Sequence, residues 1–150
     1  MNTTKQALFA LCRQYVQQRI DTARRAMEAA QESANAEEKS SAGDKYETGR
    51  AMAQLERDRH AQLLAEAQKL EGELSRLNVE KEYSTVQPGS LVMTNRGTFF
   101  ISISAGKLAY DGADYFAVSP ASPVATVLAG RKTGDTGTFN QQAYQIVGVV

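Results

Sequence analysis

No proline interrupts residues 3–81, and Ala, Gln, Glu, Arg and Lys dominate that stretch. These side chains lose little freedom in a helix, whereas an internal proline would remove a hydrogen bond and clash with the preceding turn. Within the stretch, small or apolar residues recur at Val16, Ile20, Ala23, Met27, Ala30 and Ala34. The steps alternate between four and three, the heptad spacing of a coiled-coil seam. A second seam runs through Leu63, Ala67, Leu70, Leu74 and Leu77. Each seam is one narrow stripe with charge elsewhere, so each helix has one side to bury against one partner.

Between the seams lies "NAEEKSSAGDKYETG". Ser40, Ser41 and Gly43 are poor helix formers there, and a serine or aspartate can cap a following helix. A break this short is most simply crossed by folding the second helix back on the first. The expected product is an antiparallel coiled-coil hairpin over residues 1–82, with arms of about 35 residues that reach roughly 50 Å. Asp44 and Glu47 would stand at its bend. Acids in a first helical turn are favourable against the helix dipole by about 0.3–1 kcal/mol each. The same two acids, spaced i and i+3, would also share one helix face and could ligate a cation.

At Tyr83 the pattern changes. "VQPGSLVMTNRGTFFISIS" alternates and is rich in Val, Ile, Phe and Thr, with Asn95, Arg96 and Gly97 as a turn between two strands. Further strands are expected over 107–110, 113–118 and 142–150. "SPVATVLAGRKTGD" predicts a short helix that Pro123 opens and Gly130 closes, with Val124, Val127 and Leu128 toward a sheet. Residues 83–150 are therefore expected to form a small α+β domain on an antiparallel sheet, with Phe99, Phe100, Tyr110, Tyr115, Phe116, Phe139 and Tyr144 supplying its core.

Totals narrow the chemistry. Lys plus Arg and Asp plus Glu each number 17 among 150 residues, so the chain is formally neutral. A neutral chain lacks the basic excess that drives binding to free nucleic acid. One cysteine, Cys12 in the run "ALFALC", leaves no internal disulfide and no multi-cysteine zinc site, and reads as a buried thiol. His60, the single histidine, has no His or Cys nearby in sequence and is read as a surface or seam residue. Arg57 and Arg59 read as a solvated face paired with Glu56 and Asp58. No apolar run approaches the roughly 18 residues of a membrane span, and no signal peptide is read at the start, so a cytoplasmic location is expected.

Three stretches carry a resemblance. "GDKYE", residues 43–47, resembles the tip motif Gly-Asp-x-x-Glu of the Gre transcript-cleavage factors of bacterial RNA polymerase. "VQPGSLV", residues 86–92, is similar to that family's entry into its C-terminal sheet. "VSPASPVATVLAGRKTGD", residues 118–135, resembles its signature of two Ser-Pro pairs, a short helix and a Gly-Lys-x-x-Gly-Asp turn. The likeness spans nearly the whole chain. Ala121 stands where the family usually has an acid, and Thr48, Gly49, Arg50 and Ala51 stand where it often has an Asn-Ala-Glu-Tyr-like run.

The resemblance implies an FKBP-like C-terminal domain that docks at the rim of the polymerase secondary channel, with Ser122 and Pro123 in the docking loop. It implies a hairpin that enters the channel, where Asp44 and Glu47 help hold the second catalytic Mg2+ while the polymerase cuts its own backtracked RNA. Arg50, close to the acids, is then a candidate contact for the RNA 3' end. On this reading the chain is not itself an enzyme, and it takes no small-molecule substrate and meets no membrane. The alternatives are a channel-binding regulator that does not stimulate cleavage, an FKBP-like prolyl isomerase, and a plain coiled-coil adaptor.

Overall fold

A computed structural model describes the backbone of residues 2–39 and 43–150 and the side chains of residues 3–36 and 48–150. Two long helices come first, α1 (Asn2–Lys39) and α2 (Gly43–Ser75). Four strands follow, β1 (Leu91–Thr94), β2 (Gly97–Ile101), β3 (Gly106–Tyr110) and β4 (Ala113–Val118). A short helix α3 (Pro123–Leu128) leads into β5 (Thr136–Phe139) and β6 (Gln142–Val149). The expected α+β architecture is the one observed.

The chain divides into two compact units, one of Val16–Glu71 and one of Met1–Tyr15 with Gly72–Val150. In the first, α1 and α2 are the only elements among the described residues. Three residues, 40–42, join them. At about 3.5 Å per residue they cannot carry the chain back along an arm, so the helices run antiparallel. Val16, Ile20, Ala23, Ala30 and Ala34 are buried on α1, as the heptad spacing predicts, and Met27 is half-buried. On α2 the seam differs from the expected one. Leu63 is 47 % exposed, and the stripe instead runs through Ala53, Arg57, His60, Leu64 and Ala67, of which the two alanines are buried. Leu63 and Leu64 are equally apolar neighbours. Only the continuation of steps of four and three down from Ala53 decides between them.

The second unit holds a six-stranded sheet in the order β3-β4-β2-β1-β6-β5. Its hairpin turns follow local chemistry. Asp111 and Gly112, and again Asn140 and Gln141, take positive φ in two-residue loops, the geometry that matches strand twist. The β1–β2 turn is held by Thr94, whose hydroxyl donates to the Gly97 carbonyl at 2.7 Å and accepts from the Arg96 N–H at 3.1 Å. The expected antiparallel sheet needs one correction, because β2 and β4 pair in parallel while the other pairings are antiparallel. Residues 102–105 carry the chain outward past one strand position, and β4 returns between β3 and β2. Alternation marks which residues face inward but not which strand lies alongside.

α3 lies over one face of this sheet. Val86, Val92, Phe99, Ile101, Ala125, Leu128 and Ile146 form the core there, with Val118, Val124, Val127, Tyr144 and Val149 packed around it. On the alternate face, Leu91 and Phe100 are also buried. The base of α1 reaches the β2–β3 connection in this same unit, where Cys12 Sγ lies 3.9 Å from Ser102 Oγ.

Candidate functional site

Asp44 and Glu47 fall in the first turn of α2, which begins at Gly43. A helical backbone puts positions i and i+3 on one face, so the two acids share a face at a helix N-terminus. Their side chains lie outside the described residues, as do all those from 37 to 47. Among the described residues no group of three or more His, Cys, Asp or Glu is placed to hold a metal. Mg2+ commonly takes one or two protein carboxylates and fills the rest of its shell with water and phosphate oxygens.

Arg50, three residues beyond Glu47 on the same helix, is exposed. Arg57 donates from Nη2 to Asp58 at 3.1 Å, and Arg59 pairs with Glu56. That is the paired, solvated arrangement expected of them, except that part of Arg57 also enters the seam. His60 Nε2 lies 3.5 Å from the same Glu56.

The second candidate site is the Ser-Pro loop ahead of α3. Ser122 is the N-cap: its backbone is extended, and its side-chain oxygen accepts from the Ala125 N–H at 3.3 Å. Its carbonyl accepts from the Thr126 N–H at 2.9 Å and from the Thr126 hydroxyl at 2.8 Å. Pro123 follows in the first turn, where a missing N–H costs nothing, and it is exposed, as is Ala121. α3 buries Leu128 completely and Ala125 nearly so. The helix thus anchors the loop from behind while the loop presents proline and alanine outward.

The rest of the "GRKTGD" stretch holds the fold. Gly130 takes a φ of 75° after α3 and donates to the Val86 carbonyl at 2.9 Å, while the Val86 N–H donates to the Arg131 carbonyl at 2.8 Å. Asp135 closes the next turn, accepting from the Lys132 N–H on Oδ2 at 3.0 Å. In "VQPGSLV", Gly89 takes a φ of 95° with Tyr83 and Asn78 close by, and Ser90 is fully buried with its hydroxyl donating to the Gln87 carbonyl at 2.6 Å.

Two buried polar groups complete the picture. Cys12 is buried as expected, and burial pushes its thiol up to about 11. Lys5 was not singled out from sequence, yet it is completely buried. Its Nζ donates to the Lys81 carbonyl at 2.7 Å and lies 4.8 Å from the centre of the Tyr83 ring. Burial lowers its pKa, with Glu82 opposing that shift. The signal was present: continuing the α1 stripe back from Val16 through Cys12 and Leu8 ends on Lys5.

Fold and sites together define an α+β protein of a long two-helix hairpin and a mixed-sheet unit with a capped Ser-Pro loop. No family model matches the chain, and no curated protein matches it. A solved structure described as that of the transcription factor Gfh1 is 20% identical to it, over 89% of this chain and 90% of that one, with a TM-score of 0.34. An overlap of that size carries no argument about activity. No helix among the described residues is long and apolar enough to cross a membrane.

Proposed function

We propose that this chain is a Gre-type factor that binds bacterial RNA polymerase through its secondary channel and stimulates cleavage of backtracked RNA. The observation that carries the reading is where the motifs fall. "GDKYE" opens the second arm of a helical hairpin, and the Ser-Pro signature folds into an outward-facing loop backed by a capped helix. The chain's own part is to bring the Asp44 and Glu47 carboxylates to the RNA 3' end, with Arg50 close enough along α2 to meet a phosphate. Asp44 and Glu47 would help hold a second Mg2+, which would supply hydroxide and charge stabilisation for in-line displacement. Ser122 and Pro123 place the docking contact. The chain lends ligands and has no nuclease activity alone.

The test is incubation with stalled, backtracked polymerase, with RNA length read on a gel. Magnesium-dependent shortening that needs the factor is expected. Polymerase binding without shortening would replace this reading with a second one, a regulator that occupies the channel and does not cleave. The run Thr48, Gly49, Arg50, Ala51 beside the acids favours that second reading, since the Gre family often carries a different sequence there.

A further inference from the structure

Among its described residues the hairpin unit is not held equally along its length. At its base end the seam is built of Val16 and Ile20 on α1 with Leu64, Ala67 and Leu70 on α2, four of them branched side chains. Toward the bend, α1 offers Ala23, Ala30 and Ala34 with a half-buried Met27, and α2 offers Ala53. An alanine buries one methyl, a small fraction of what Leu or Ile removes from water. The next two seam positions on α2 are Arg57 and His60, and Arg57 Nε is buried with no hydrogen-bond partner among the described residues. A buried donor left unsatisfied opposes closure of the seam. The large apolar residues available on this part of α2 do not help, because Met52 is 63 % and Leu55 70 % exposed.

We infer that the hairpin carries a built-in weak joint: the part nearer the bend, residues 23–34 of α1 and 48–60 of α2, opens as a local unit while the base end stays closed. Cooperative units of different stability are common within one fold, and elements that must adapt to a partner come from the weaker ones. Here the break falls at Arg57 and His60, where the seam changes from branched side chains to polar ones. Opening the joint separates two alanine-lined faces and lets Arg57 Nε reach water, so it costs little. Opening the base end would expose Val16, Ile20 and Leu64.

Hydrogen exchange read by mass spectrometry on the full chain tests this. Amides of 23–34 and 48–60 are expected to exchange at least tenfold faster than those of 16–20 and 64–71, with a step in protection between the two sets. Arg57→Leu should slow exchange about tenfold in residues 23–34, on the arm that does not carry the substitution, and Arg59→Leu, outside the seam, should not. A smooth gradient of protection, uniform protection, or an Arg57→Leu variant whose 23–34 amides exchange as in wild type would overturn the inference.

Discussion

Ser122 is the residue at which docking and folding can be mistaken for one another. Its side-chain oxygen accepts from the Ala125 N–H at the start of a helix only six residues long. Replacing a serine N-cap by alanine costs about 1 kcal/mol, and the 3.3 Å separation places this cap at the weaker end. The helix would persist, because burial of Leu128 and Ala125 is untouched. Ser122→Ala should therefore lower Tm by about 4 °C for a domain of this size, and Ser122→Asp, which still caps, should restore most of it. Pro123 is exposed in the first turn. Pro123→Arg loses only the chain stiffness of proline, about 0.4–1 kcal/mol, yet sets a long cation on the loop. If the loop docks on polymerase, Pro123→Arg should weaken binding by at least tenfold in an anisotropy titration while Tm moves less than about 4 °C. Wild-type affinity for Pro123→Arg would remove the loop from the interface. A Ser122→Ala variant that melts with the wild type would show that the hydroxyl does not cap α3.

Three further outcomes are expected. Asp44→Asn with Glu47→Gln should leave polymerase affinity nearly unchanged and abolish stimulated cleavage, because the amides are poorer Mg2+ ligands; full cleavage by the double variant would end the ligand reading. Gly137→Ala should cost about 1–3 kcal/mol in urea denaturation, since the new methyl would stand 3.0 Å from the Val127 carbonyl oxygen of α3, whereas Gly148→Ala meets only the mobile end of Met93 and should cost less. Cys12 gives a pH signature. Its folded thiol titrates at about 11 against an ordinary 9.0, so above pH 9 the unfolded chain releases a proton that the folded one keeps, and stability falls as pH rises toward 11. Relative to Cys12→Ala, the wild type should lose about 2 kcal/mol between pH 8.5 and 10.5, and parallel pH profiles for the two proteins would refute the assignment.

The parts of this fold legible in the sequence are those fixed by local period. Long uninterrupted heptads located the α1 seam residue by residue, and turn chemistry at Asn95, Gly130 and Pro123 placed three boundaries. What escaped depends on distant partners. β5 was missed because "TGTF" is four residues long and glycine-bearing, and only its pairing with β6 makes it a strand. The parallel β2–β4 pair was missed because neighbour choice leaves no local mark. Lys5 was missed because a charged residue is read as exposed until the carbonyl and ring that receive it are known.

That distinction bears on how much the motifs say about function. Several residues of the two C-terminal stretches have structural employment: in residues 118–135 Ser122 caps, Gly130 and Gly134 take positive φ and Asp135 closes a turn, and in residues 86–92 Ser90 is buried and bonded. Any protein with this turn–helix–turn would need similar residues, so their presence speaks first to fold. Pro123 and Ala121 face outward and have no such employment, so the specific content of that stretch lies with them. In "GDKYE" both acids also have a structural use, since each would favour the start of α2 by about 0.3–1 kcal/mol. Glu47 is the cleaner of the two to test, because Asp44 remains in the first turn without it. Glu47→Gln alone, which leaves Asp44 to favour the helix start, should separate helix chemistry from metal chemistry: unchanged helicity by circular dichroism with cleavage lost supports the ligand role, and unchanged helicity with cleavage intact leaves the acid a role only in starting the helix.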